Sequence, residues 1–166
     1  MTKFTLKPLD VVVIDGLWYM PHHWLIRWRG LDPAVHCCTV ISCGGTTAIS
    51  PEFSGIKVRR LDYYKGRRVT VHRYKGDMDI ASMLAWLEAT VKSSRGYDFR
   101  QWLMGFVLGL TSRKQVDDSA HWTCAELPYW LFQENGSVTP TDEVLPMPRL
   151  FRFNPQFEIV FDGIWE

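Results

Sequence analysis

The sequence predicts an α+β fold built on an antiparallel sheet. Three observations carry this. Short β-branched runs punctuated by turn residues fill the first half of the chain, and patterns of helical period gather in the second half. Apolar residues, 46% of the 166, are spread along the whole length and not gathered into one tract. One domain is expected from residue 1 to residue 166.

The elements follow in order. Val11-Val12-Val13-Ile14 is a continuous β-branched run and reads as a buried strand. Pro21 can open a short helix carrying His22 to Arg29, with Gly30 as its stop. Val35 to Ser42 and Thr46 to Ser50 read as strands joined at Gly44-Gly45. Gly55 to Tyr64 and Val69 to Tyr74 read as two more, with Lys65-Gly66 as the turn. Asp77 or Asp79 can cap a helix from Ile80 to about Lys92, with Met83, Leu84, Leu87 and Val91 on one stripe. A second helix is expected after Asp98, through Trp102, Leu103, Phe106 and Leu110. A third begins near Cys124 and stops at Asn135-Gly136. Phe157 to Phe161 reads as a final strand.

Composition narrows the function classes. Nineteen basic against eighteen acidic side chains leave a net charge of +1, which argues against a nucleic-acid partner held by phosphate contacts. The longest apolar stretch, Trp102 to Leu110, falls well short of the ~20 residues that span a bilayer, so no stable membrane insertion is expected. Met1 to Asp10 contains no apolar signal core, and the expected location is the cytoplasm. His36, Cys37, Cys38 and Cys43 are the one group resembling a zinc set. Their spacing contains no C-x-x-C pair, and strand alternation would split them between two faces. Neither a metal nor another cofactor is expected.

Cys124 stands apart from the other thiols. It falls where the third helix should start, and a helix N-terminus carries partial positive charge and free N–H groups that stabilise a thiolate or a developing oxyanion. His36 interrupts a strand otherwise made of apolar and small residues. That makes it either a packed core histidine or the base that a thiol nucleophile requires.

His121-Trp122-Thr123-Cys124-Ala125-Glu126-Leu127 resembles the Cys-Ser-Glu-Leu helix start of circularly permuted NlpC-type cysteine peptidases of the papain-like superfamily. YiiX-like hydrolases are the nearest group, and lecithin retinol acyltransferase-like proteins are relatives. In that group, as here, the histidine strand precedes the cysteine helix. Asp10-Val11-Val12-Val13 looks like the opening Gly-Asp strand, with Leu9 in place of the glycine. Leu25-Ile26-Arg27-Trp28 resembles the short helix before the histidine, and Val35-His36 stands where the group has Ser-His. Ala48-Ile49-Ser50 resembles the following strand, and Gly96-Tyr97-Asp98-Phe99 a Gly-x-Tyr-Asp segment upstream of the cysteine.

The resemblance implies a permuted papain-like fold, with Cys124 as nucleophile and His36 as general base and then acid. The substrate classes implied are amide bonds of cell-wall (peptidoglycan) peptides and lipid acyl esters. With an amine or alcohol replacing water, the same site is an acyltransferase. The group's third polar residue falls on Ser50, where a carboxylate, histidine or amide is usual. Glu52, two residues on, is the alternative, since it can share Ser50's face. Tyr97 matches a tyrosine that lines the site. Glu126 in the helix's first turn suits the helix dipole.

The Ser50 departure also admits a module that keeps the fold without the chemistry. Such a module would use Trp122 and the tryptophan-rich segment around Trp24 and Trp28 to hold a cell-wall fragment, lipid or protein. Arg67, Arg68, His72 and Arg73 read as a solvated basic face.

Overall fold

The computed structural model describes residues 4–17, 23–24, 32–42, 44, 46–52, 54–94, 96–97, 121–136 and 146–166. Six strands form one antiparallel sheet: β1 (Val11–Asp15), β2 (Ala34–Val40), β3 (Thr47–Glu52), β4 (Gly55–Arg60), β5 (Arg68–Tyr74) and β8 (Phe157–Ile164). Their order across the sheet is β4-β3-β2-β1-β5-β8. A separate parallel pair, β6 (Gly96–Tyr97) and β7 (His121–Trp122), joins the chain on either side of the segment that contains the expected second helix. That helix and most of the expected helix at residues 22–29 lie outside the described residues.

β1 is central and covered on both sides, which is why its sequence is a continuous apolar run and not an alternating one. Val11 and Val13 join a core with Cys37, Met83, Leu87, Leu127, Phe132 and Phe151. These residues include contributions from all three described helices, α1 (Ile80–Ser93), α2 (Glu126–Glu134) and α3 (Arg149–Phe153), which therefore lie on one face of the sheet. Val12 and Ile14 join a second core with Leu6, Cys38, Val40, Leu61, Tyr64 and Val71 on the other face. Each fully buried leucine or phenylalanine stabilises the fold by about 1.5–3 kcal/mol.

The structure departs from several expectations. The strand expected over Gly55 to Tyr64 ends at Arg60, and Leu61–Tyr64 form a 3₁₀ turn. Leu61 and Tyr64, three apart and so on one side of such a turn, are both buried against the second core. Gly66, at φ +79°, reverses the chain into β5. Asp79, and not Asp77, caps α1 by accepting from the Ser82 N–H. α3 was not expected, and β8 runs on to Ile164.

The basic group at β5 is solvated only in part, with Arg68 exposed. His72 is fully buried, and Arg73 grips the buried Asp10 with two hydrogen bonds of 2.8 and 2.7 Å. Leu9, where the resembling group has glycine, has φ +69°. It holds that left-handed conformation with its side chain almost wholly buried, so packing offsets the backbone strain.

Arg152 ties α3 to the sheet at the start of the histidine strand. It donates to Asp15 at the end of β1 and to Asp32 just before β2. Asp32 also accepts the Ala34 N–H and so fixes the residue at which β2 begins. Among the described residues, no helix is long and apolar enough to cross a membrane.

Candidate active site

β2 and β3 pair only at Thr39–Ile49 and Val40–Ala48, and part towards His36 and Glu52. Extending that register puts Cys38 opposite Ser50, so alternation sets His36, Cys38, Ser50 and Glu52 on one face. The gap between the parting strands is where the site lies. His36 Nε2 and Ser50 Oγ are 2.7 Å apart, and Ser50 Oγ lies 2.9 Å from the Tyr64 hydroxyl.

The cysteine reaches this gap through the start of α2. Thr123 Oγ1 accepts the Glu126 N–H, and the Glu126 carboxylate accepts the Thr123 N–H. This reciprocal pair is a capping box, which makes Thr123 the cap and Cys124 the first residue of the helical turn. Glu126 is buried for this purpose. The Thr-x-x-Glu spacing was visible in the sequence and would have fixed the helix start.

Cys37 donates its S–H to the Cys124 carbonyl at 2.9 Å, locking the turn onto β2. Cys124 is only 7% exposed, more enclosed than a helix start on an open cleft would be.

The two thiols titrate in opposite directions. The Cys37 side chain beside it, opposed by burial and reinforced by the nearby His36 imidazole, holds the Cys124 thiol below the usual range. Burial, followed by the neighbouring Cys124, pushes Cys37 up. Ser50 occupies Nε2, which leaves Nδ1 as the ring nitrogen without that partner.

The remaining expected site residues are placed differently. Glu52 is not the hydrogen-bond partner of His36. Arg59 holds its carboxylate at 2.8 and 2.7 Å, and this bond lowers its pKa. Its charge still acts on His36. Trp122 is buried in the core with its ring edge-on to Trp86, so it does not present an open face to a ligand. Tyr97 stands in β6 in register with Trp122, and its side chain lies outside the described residues. Tyr64 was not anticipated, because only the 3₁₀ turn carries it onto Ser50. Among the described residues, Cys37, Cys38 and Cys124 are free thiols; Cys43 lies outside them.

A crystal structure from Escherichia coli O157:H7, described as metalloprotein YiiX (DUF1105), matches this chain with a TM-score of 0.67. The match covers 98% of this chain and 100% of that one, at 14% sequence identity. The chain has a YiiX-like fold. No family model and no curated protein matches the sequence.

YiiX is described as a metalloprotein, so the donors of this chain bear on whether it could hold an ion. Among the described residues, no three His, Cys, Asp or Glu side chains come together to hold one. Within the site, His36 Nε2 is engaged by Ser50, and the Cys37 thiol by a backbone carbonyl. These residues do not fit a metal.

Proposed function

We propose that this chain is a cysteine hydrolase of the permuted papain-like, NlpC-type class, a single domain that cleaves an amide or ester bond. The observation that carries the reading is His36, held at Nε2 by Ser50 at 2.7 Å and near enough to Cys124 to help lower its thiol. A structural thiol at full burial would be pushed up, as Cys38 is. A depressed thiol beside an imidazole is the arrangement that nucleophilic catalysis requires.

In this reading Cys124 passes its proton to His36 Nδ1, and the thiolate attacks the substrate carbonyl. The N–H groups of Cys124 and Ala125 at the head of α2 receive the oxyanion, because capping already occupies that of Glu126. His36 returns the proton to the departing amine or alcohol as the tetrahedral adduct collapses to a thioester. A water molecule, deprotonated by His36, then releases the acid and frees the thiol. The Glu52 carboxylate, kept ionised by Arg59, favours the imidazolium that forms in between. The substrate classes are cell-wall peptide amides and lipid acyl esters, with acyl transfer as the variant in which an amine or alcohol replaces water.

The test is turnover of peptidoglycan fragments and short-chain acyl esters by the parent and by Cys124→Ala, with mass spectrometry of the stalled enzyme. The reading expects an acyl adduct on Cys124 and no turnover by the variant. Equal turnover in both proteins would make Cys124 structural. Absence of turnover and of adduct in the parent would favour the binding module, to which the neutral Ser50 in place of a charged orienting residue is the pointer.

A further inference from the structure

Behind His36 lies a line of neutral groups with a single proton between each pair. Ser50 Oγ is within hydrogen-bond distance of both His36 Nε2 and the Tyr64 hydroxyl. Cys38, packed with Tyr64 in the second core, stands two residues from His36 on the same strand face, and its thiol is the next group beyond the Tyr64 hydroxyl. Ser50 is fully buried and Tyr64 nearly so, which leaves little room for water to compete.

A serine hydroxyl has one proton to give. If that proton points at Nε2, the ring carries its own proton on Nδ1 and cannot take one from Cys124. If it points at Tyr64, Nε2–H is the donor and Nδ1 presents a lone pair to the thiol. A carboxylate in place of Ser50 would force the second arrangement, since it can only accept. A hydroxyl forces nothing unless its own proton is directed elsewhere.

We propose that Tyr64 is a positioning residue that selects the working tautomer of His36, through a directed chain from His36 to Ser50 to Tyr64 that ends on the Cys38 sulfur. The proposal rests on the reading of His36 as the base. Burial raises both the Tyr64 hydroxyl and the Cys38 thiol well above their ordinary values, so neither ionises at ordinary pH and the order of protons is kept.

The charged and titratable groups around the chain are Glu52 from β3, Arg59 from β4, Tyr63 from the 3₁₀ turn, Cys37 from β2, and Cys124 at the start of α2. Glu52 is the rival acceptor for the Ser50 proton. Arg59 engages both of its oxygens, and the hydroxyl within hydrogen-bond distance of Ser50 Oγ, at 2.9 Å, is that of Tyr64.

The test reads the tautomer directly. In full-length Cys124→Ala protein, which removes the thiol as a proton source, the ring nitrogens are assigned by long-range ¹H–¹⁵N NMR. The expected state is Nε2–H. Adding Tyr64→Phe should move the ring towards Nδ1–H. Adding Cys38→Ser, which keeps an acceptor at the chain's end, should leave Nε2–H in place.

With Cys124 present, Tyr64→Phe should slow its alkylation by iodoacetamide at pH 6 by about tenfold. Should Tyr64→Phe fail to fold, Cys38→Val replaces it and should show the same tautomer shift. An Nε2–H state that survives Tyr64→Phe, or an Nδ1–H state before it is introduced, overturns the proposal. If instead the tautomer behaves as expected but parent Cys124 alkylates like an ordinary thiol, the hydrolase reading fails and the positioning chain stands.

Discussion

His72 predicts how this protein responds to acid. It lies fully buried on β5, with Nε2 2.9 Å from the Thr70 hydroxyl. Burial, followed by the nearby Arg152 charge, lowers its pKa from 6.5 to about 4. The unfolded chain therefore binds a proton at His72 below pH 6.5 while the folded chain does not until about pH 4. Stability from this residue is complete above pH 6.5 and is lost as pH falls towards 4.

The whole effect is about 3 kcal/mol, and the part lost between pH 7 and pH 5 is about 2 kcal/mol. That is a substantial share of the ~5–15 kcal/mol that holds a domain folded. The assay is urea unfolding of the parent and of His72→Gln at pH 7, 6 and 5. Taking the difference removes every contribution common to the two proteins. The parent should lose about 2 kcal/mol more than the variant between pH 7 and pH 5. Equal losses would show that His72 ionises in the folded protein, and the argument from its burial would fail.

Other perturbations test the frame and the site. Arg152→Met strips the ion-pair partner from the largely enclosed Asp32 and the nearer of two from Asp15, which keeps Arg68 at 3.9 Å. It should cost about 3–5 kcal/mol, read as a thermal midpoint lower by about 10 °C. Leu9→Gly relieves the positive φ but removes a buried side chain, and should still destabilise by about 2 kcal/mol in urea. Ser50→Ala removes the bond to His36 and should lower kcat/KM by about 10- to 100-fold, whereas Glu52→Gln, with no direct bond to the ring, should cost no more than about threefold.

The strands that carry the site were legible because strand periodicity is local. β1 shows its two-sided burial as an unbroken apolar run, and His36 and Ser50 stand on strands read from composition and turns. The cysteine's place at a helix start was legible too, and the Thr123–Glu126 capping box fixes it to the residue. What the sequence hid depends on contacts between distant segments. Tyr64 reads as the end of a strand until Leu61 and Tyr64 turn together into the second core. Glu52 offers the better chemistry on paper, but Arg59 across the β3–β4 hairpin claims it. Trp122 sits two residues from the cysteine and invites a ligand-binding role, yet Trp86 on α1 encloses it. His72 reads as part of a basic surface because neighbouring arginines hide the fact that its own side chain points inward. α3 is five residues long, too short for a helical period to register.

The central claim, that His36 activates Cys124, is tested most directly by the pH dependence of alkylation at that one thiol. Parent and His36→Ala proteins are exposed briefly to iodoacetamide from pH 5 to 10, and the modified residue is located by mass spectrometry. The account predicts that parent Cys124 reacts well below the ~8.5 of a free cysteine while Cys37 and Cys38 stay unmodified, and that His36→Ala moves the midpoint upwards. A parent Cys124 that titrates at or above 8.5, or a midpoint unmoved by His36→Ala, would contradict it.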